Sequence, residues 1–519
     1  MTRATPTTAS NPSETSVTDI SGTPHSRSRA IVVGAGISGL LAARVLSEQF
    51  TEVLVLDRDR FPATPGHRSG APQSHHAHAL MPRGAEILHE LFPELRERLA
   101  SDGAAHVTTI AQARFVTPKG LLPLTQQIEG GALFFSRALL EWHLRDILSH
   151  HPRVEFVAST AVVGLLARED NRSQVCGVQV RRRGGATQTA PDPDTDEAAG
   201  PHDNRSLFGD LIVDASGRQS HLHAWLTDLG YGPVDEEILT SELSYASRIY
   251  QRPGGVRQDF KSLVVQSRAP DNPRVGSIIE IENDRWHVTL GGGNGQRVPT
   301  DEDGFLSWAQ ALPDPSVHQA ICSARPVSPI RGWRTPTSRW RHFEHMSHRP
   351  SGLIAIGDAV CSFNPVYAQG MTVAAIQALA LRDCLRRESG PVASLELRYH
   401  RLAARAISSA WMVTTIEDLR WPAVRMHGAE PPRGLRTIRR YIDLVLSVAV
   451  HDSALANRYF QVMSMTSPPT SLFSLWVLSR LTRHAVCRIF EDLHRTLTHI
   501  GCRAHTMLDR ESASRRKPV

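Results

Sequence analysis

Four short runs of consecutive apolar residues stand out along the chain: Ala30-Ile31-Val32-Val33, Val53-Leu54-Val55-Leu56, Leu211-Ile212-Val213 and Leu353-Ile354-Ala355-Ile356. Runs of this length, apolar throughout, predict buried strands. After the first run the period changes, and Ile37, Leu40, Leu41 and Val45 fall on one face of a predicted helix. After the fourth, an apolar helix is predicted from about Thr372 to Cys384. Between about Leu239 and Val327 the texture is different: Tyr245 to Tyr250, Ser262 to Val265, Ser277 to Ile281 and Trp286 to Leu290 read as strands of a second sheet. The C-terminal third reads as helices, and its Trp411, Trp421, Tyr459, Phe460, Phe473 and Trp476 are expected in apolar cores.

The junctions between strands and helices carry the chemistry. Gly34-Ala35-Gly36-Ile37-Ser38-Gly39 lies between the first strand and its helix, and the second strand ends at Asp57. In that context Gly34 supplies a tight turn, Gly36 lets a pyrophosphate approach the backbone, Gly39 allows close helix packing, and Asp57 accepts from a ribose hydroxyl. The phosphates are expected on the helix N-terminus. The fourth strand runs into Gly357-Asp358-Ala359, continues through Asn364-Pro365, and reaches Gly370-Met371 at the start of the next helix. An aspartate at a strand end can accept from a ribityl chain, and a helix N-terminus favours the negative charge of a reduced flavin. Together the two turns point to FAD. An ordinary Asx-type turn is the plainer alternative for the second.

The third strand ends in Asp214-Ala215-Ser216-Gly217-Arg218-Gln219-Ser220. With Gly34 to Gly39, Gly357 to Met371 and Ser136-Arg137-Ala138-Leu139-Leu140-Glu141, this segment resembles the motifs of FAD-dependent monooxygenases of the para-hydroxybenzoate hydroxylase type. Arg68-Ser69-Gly70-Ala71-Pro72-Gln73 with His76 and His78, and Phe363 to Tyr367 with Gln369 to Met371, resemble bacterial flavin epoxidases of polyether antibiotic pathways. The likeness runs from about Ala30 to the C-terminal helices. It implies an α/β fold: a Rossmann-like FAD-binding domain, an inserted β-sheet substrate domain and C-terminal helices. By position it implies cofactor contacts from Gly34, Gly36, Gly39, Asp57, Arg68, Arg137, Gly357, Asp358, Pro365, Gly370 and Met371. An arginine such as Arg137 can pair two phosphate oxygens in a fork, although a surface cation is the alternative.

Two positions depart from the pattern. Many hydroxylases of this superfamily carry Asp-Gly where this chain has Ser216-Gly217, and that aspartate is associated with communication between flavin and nicotinamide. Reduction by NAD(P)H is therefore expected either directly or through a separate flavin reductase. Ala368 stands where epoxidase-like relatives usually carry glycine, which adds strain if the position needs a positive φ.

Composition adds limits more than detail. The 519 residues are ample for two or more domains, and 58 basic against 52 acidic residues give +6, too little and too scattered to suggest nucleic acid. Six cysteines without a CxxC pair read as reduced thiols in a cytoplasmic protein, with Cys361 a packing residue. His75, His76 and His78 form the densest histidine cluster, but no carboxylate or cysteine completes a metal set at matching spacing, and no metal is expected there. A histidine of this segment is instead expected near a peroxide or substrate oxygen. No run reaches the roughly 18 apolar residues of a spanning helix, while Leu472 to Leu481 is apolar enough to touch a membrane peripherally.

The expected map has a disordered tail at 1–29, an FAD-binding domain at 30–238 and 328–390 with an exposed insertion at 184–206, and a substrate sheet at 239–327. A helical region at 391–505 and a basic tail at 506–519 complete it. The resemblance implies transfer of one oxygen atom from O2, by way of a flavin hydroperoxide, to a hydrophobic natural-product intermediate, with alkene epoxidation first. Aromatic hydroxylation and double-bond reduction of the geranylgeranyl reductase type are the alternatives. A flavin halogenase should carry a Trp-x-Trp-x-Ile-Pro segment and a catalytic lysine, and neither Trp286 nor Trp340 stands in such a pattern. No side chain is singled out as catalytic.

Overall fold

In the computed structural model the described residues are 28–487 and 490, without 172, 183–203, 255–258, 336, 388–394 and 488–489. Most of the expected N-terminal tail and the 184–206 insertion, the end of the helical region and the basic tail lie outside them.

The four apolar runs meet in one parallel sheet, in the order Leu353–Ala355, Leu211–Asp214, Arg29–Val33, Glu52–Leu56 and Val154–Val157. Both faces are covered, which is why these strands are apolar without alternation. Ala30, Val32, Val53 and Val55 face the helices Ile37–Leu46, Pro82–Leu91, Arg137–Ser149 and Gly370–Arg386. Ile31, Val33, Leu54 and Leu56 face the opposite way, onto Val175, Val178 and Val180 of a three-stranded antiparallel sheet. The helix predicted from about Thr372 begins two residues earlier, at Gly370.

The second sheet has seven strands. Leu243–Gln251, Ser262–Val265, Arg274–Ile281 and Arg285–Gly292 come from the expected segment, and Arg331–Thr335, Ala113–Thr117 and Gly120–Leu121 complete it. Here alternation is clear. Ala246, Tyr250, Trp286, Val288 and Leu290 pack into a core with the helices Glu302–Gln310 and Ser316–Ile321. Tyr245, Ser247, His287 and Thr289 point to the other side.

The C-terminal helices Leu435–Ala449 and Ser453–Met463 form a fourth core with Ile110, Leu122 and Leu124. Two expectations fail here. Phe473, at the end of the turn Pro469–Phe473 and stacked on Tyr441, is 50% exposed, and Trp476 is 40% exposed because residues 475–487 form a helix on the surface, where Arg458 and Arg480 flank its ring. Apolar periodicity shows that a face exists and does not show that anything covers it. Trp411 and Tyr459 are buried, as expected.

Candidate functional site: a glycine cradle facing a polar sheet

The three glycines of the first turn do three different physical jobs. Gly34 has φ +103°, and a Cβ there would lie 2.6 Å from the Ala215 carbonyl oxygen. At Gly39 a Cβ would sit 1.8 Å from the Gly34 carbonyl oxygen, so only glycine lets the helix approach its strand. A Cβ on Gly36 meets nothing within 4 Å, so this backbone borders open space at the sheet's carboxyl edge. The second turn packs directly against the first. Gly357, at φ +67°, has the Ser38 hydroxyl 2.4 Å from where its Cβ would be, and its N–H donates to Gln377 Oε1 at 2.6 Å.

Two helices begin at the cradle, and neither of their first turns is closed by a side chain. The helices Arg137–Ser149 and Glu302–Gln310 are capped by the Ser136 and Asp301 side chains. The helices Ile37–Leu46 and Gly370–Arg386 receive no such side-chain bond. Their first N–H groups are left for an acceptor from outside, the electrostatic character a pyrophosphate and a reduced flavin ring require. Uncapped helix ends, the open Gly36 backbone and an acidic strand end together fit FAD.

Beneath the cradle lies a charge network. Asp57 Oδ2 accepts from Ala35 N at 2.7 Å and from Arg68 at 3.1 Å, and Asp57 Oδ1 accepts from Asp59 N at 2.9 Å. Arg68 also donates to Glu141 Oε2 at 3.1 Å and to the Ala35 carbonyl at 3.1 Å, and it meets Asp59 at 3.4 Å. Burial opposes its charge, but Glu141 and Asp57 more than offset this and raise the guanidinium above its ordinary value. Glu141 in turn joins the two expected arginines, because its Oε1 accepts from Arg137 Nε at 2.7 Å. Burial works against its charge, and Arg137 and Arg68 overcome this and hold the carboxyl low. Arg68 is thus held within the protein and positions Asp57, whereas Arg137 is the partly exposed member of the pair.

At the second turn Asp358 is half-buried, and loss of solvent pushes its carboxyl up against the pull of Arg218 and Arg137. Gly370 opens the helix above it, Pro365 is exposed in the turn Pro365–Tyr367, and the Met371 side chain is buried in the core. Ala368 has φ +53°, the left-handed conformation in which alanine is strained. The Ser216 hydroxyl donates to Asp214 Oδ1 at 2.6 Å, and Arg218 ties Phe363 O of the flavin-side turn to Thr335 at the edge of the seven-stranded sheet. Burial drives the Cys361 thiol far up, which favours the uncharged thiol of a packing residue.

Opposite the cradle stands the polar face of the seven-stranded sheet, joined to it by the histidine loop. Ser247 and Thr289 are cross-strand neighbours, and so are Tyr245 and Trp333. His76 Nδ1 lies 2.8 Å from Ser247 Oγ, which lies 2.6 Å from Thr289 Oγ1; Ala77 N donates to that same Thr289 oxygen at 3.0 Å. The His76 ring meets Tyr245 edge-on at 4.5 Å. Burial, with His287 and His75 nearby, lowers His76 to about 3; burial also brings His287 to about 4. Both rings are neutral at pH 7. Arg137 has only donors, so His78 Nε2, 3.3 Å from it, accepts, and His78 Nδ1–H donates to the His76 carbonyl at 2.8 Å.

Sequence reading missed Glu141, Asp59, Arg218 and the Ser247–Thr289 pair. It also missed Asp418, a buried carboxylate that accepts from Asn364 Nδ2 at 2.9 Å and Tyr367 OH at 2.7 Å and so holds the flavin-side turn from behind. Burial raises it to about 7. Only alternation on the two strands could have indicated Ser247 and Thr289; nothing local indicates Asp418.

Residues 29–133 match the family described as FAD dependent oxidoreductase. The chain is 30% identical to Protein Rv3254 of Mycobacterium tuberculosis over 463 residues, covering 88% of this chain and 94% of that protein. Among solved structures it is similar to the flavin-dependent brominase Bmp2, with a TM-score of 0.59 at 12% identity, covering 88% of this chain and 98% of that one. It is also similar to the p-nitrophenol 4-monooxygenase PnpA from Pseudomonas putida DLL-E4, with a TM-score of 0.57 at 15% identity, covering 84% and 99%. The glycine cradle and these likenesses agree: the chain belongs to one family with Protein Rv3254 and is an FAD-dependent oxidoreductase.

Proposed function

We propose that the protein is a monooxygenase that places one oxygen atom of O2 on a hydrophobic small molecule, an alkene before an aromatic ring. The observation that carries this reading is the meeting of two unlike surfaces, the FAD cradle at Gly36 and Gly370 and the neutral polar wall at His76, Tyr245, Ser247 and Thr289, joined where His78 bridges Arg137 and the His76 carbonyl. Bound reduced FAD supplies the activation of O2. Gly34, Gly36, Gly39 and Asp57 would hold the adenosine half, Arg137 and Asp358 the middle of the cofactor, and Gly357, Pro365, Gly370 and the Met371 backbone the flavin side. Arg68 keeps Asp57 in place.

The chain's other groups orient and shield. His76 and His287 carry no charge at neutral pH; His287 spends its one N–H on the His75 carbonyl and fixes the loop, while His76 can offer a hydrogen bond to an oxygen without drawing ions or bulk water inward. Oxygen transfer to an alkene needs no general base, consistent with a wall free of charged nucleophiles. A halogenase reading is weakened further by the lysines: the chain has three, and Lys261 is paired with Glu280 at 2.5 Å. Ser216, engaged with Asp214, supports supply of electrons by a separate flavin reductase. Exposed Leu475 and Trp476 beside Arg480 support peripheral contact with a lipid surface, where a hydrophobic substrate would be met.

The test is oxygen labelling. The FAD-loaded protein, reduced without air and mixed with isotopically labelled O2 and a panel of lipophilic alkenes and phenols, is expected to place a single labelled atom in an epoxide. Saturation of a double bond without label would sink the reading in favour of a reductase. Stopped-flow reduction with NADH and NADPH is expected to be slow with both.

A further inference from the structure

Away from the cradle, the strand Ser338–Arg341 of a four-stranded sheet runs into the turn Phe343–His345. Three side chains converge there. His342 Nδ1 lies 2.9 Å from Glu344 Oε1, His345 Nε2 lies 4.0 Å from the same oxygen, and the donor atoms of all three are within 4.8 Å of one another. An ion about 2.0–2.2 Å from each ligand atom draws them within about 4.4 Å of one another, which requires the exposed His345 ring, now nearly parallel to that of His342 with centroids 4.8 Å apart, to turn toward the ion.

A second observation concerns the far side of the His342 ring. Its Nε2 lies 3.2 Å from Glu237 Oε1, and the other oxygen of Glu237 accepts from Trp411 Nε1 at 2.6 Å. A metal-bound imidazole characteristically donates its second N–H to a carboxylate that is itself held in place. The inner set and its outer support are therefore both built.

We propose that His342, Glu344 and His345 bind a divalent transition-metal ion of the zinc type, with Glu237 and Trp411 orienting His342. Two imidazoles and one carboxylate suit zinc, cobalt or nickel better than calcium or magnesium, which prefer oxygen alone. The His345 side chain is 59% exposed, so the ion enters from solvent and water completes its coordination. The site would tie the strand Glu236–Leu239, the turn and the helix Leu395–Asp418 together. Through Trp411, whose ring centroid lies 6.4 Å from that of Phe363, it would stiffen the flavin-side turn from behind.

The experiment uses full-length, FAD-loaded protein stripped with chelator and dialysed against zinc or cobalt, with retained metal counted by elemental mass spectrometry. One ion per chain is expected. His345→Ala, at an exposed position, and Glu344→Gln should each weaken binding at least about tenfold, and Glu237→Gln about 10–100-fold. No retained ion in the wild type, or an ion retained equally well by the His345→Ala, Glu344→Gln double variant, overturns the proposal. Circular dichroism of each variant separates lost ligands from lost fold.

Discussion

The cradle and the wall that faces it are built from opposite materials. The cradle is backbone: Gly34, Gly36, Gly39 and Gly357 matter because they lack side chains, and the helix N–H groups they expose have no side-chain cap. The wall is side chain: His76, Tyr245, Ser247 and Thr289 reach one another from the histidine loop and two neighbouring strands. A backbone site accepts little change in sequence, because an added Cβ collides with main chain at Gly34 and Gly39, meets Ser38 at Gly357, and at Gly36 would enter the open space a cofactor needs. A side-chain site can be rebuilt residue by residue on the same scaffold. Cofactor affinity should therefore depend on the cradle, and the handling of oxygen and substrate on the wall.

The most severe way to break that contrast is to remove the charge network under the cradle. Arg68→Met leaves Asp57 and Asp59 without their buried cation, and a loss of about 3–5 kcal/mol is expected in denaturant unfolding, with FAD lost on desalting. Stability within about 1 kcal/mol of wild type would show that the cage carries no weight. Next come two alanines that differ only in their surroundings. Gly39→Ala drives a methyl into the Gly34 carbonyl and should cost about 1–3 kcal/mol or more. Gly36→Ala should melt like wild type yet bind FAD about 10–100-fold more weakly, about 1.4–2.8 kcal/mol, in a fluorescence titration. Equal melting losses in both variants would contradict the distinction between packing glycine and cofactor glycine.

Asp418 gives the cradle a pH dependence. Its pKa is about 7 folded against 3.8 unfolded, so the folded state holds the extra proton and stability falls as pH rises from about 4 to 7. Asp418→Asn keeps an acceptor for Tyr367 and removes the titration. It should gain on the order of 1–3 kcal/mol at pH 8 and nearly nothing at pH 4, read from melting curves at both values. A loss at pH 8 would contradict the proton assignment.

Ser247→Ala sharpens the contrast from the other side. It removes the link between His76 and Thr289, worth about 1 kcal/mol, and should alter the rate at which the reduced protein reacts with O2 about fivefold while FAD affinity stays within about twofold. If affinity falls as far as in Gly36→Ala, wall and cradle are one unit. The smallest effect belongs to Ala368→Gly, which relieves the left-handed alanine and should gain about 0.5–1 kcal/mol in the same melting assay.

What was legible in sequence follows the same division. The parallel strands were evident because burial on both faces demands unbroken apolar runs, and the two turns because a positive φ or a close approach demands glycine. Arg137 and Arg68 were found as charges, but their different tasks were not, since Glu141 and Asp59 separate them only in space. Phe473 and Trp476 were misjudged because an apolar helical face looks the same whether covered or bare. Asp418 was invisible: its burial and its hold on Asn364 and Tyr367 arise from a helix more than fifty residues further along the chain.

The sequence by itself determined the α/β class, the FAD cradle and the strand end at Asp57, because backbone geometry and glycine are coupled within a few residues. Tertiary structure decided the rest: which arginine is held inside, which histidines stay neutral, and that Ser38 of the first turn rests on Gly357 of the second. Burial and opposing charge are set by neighbours from distant segments, and no local pattern encodes them.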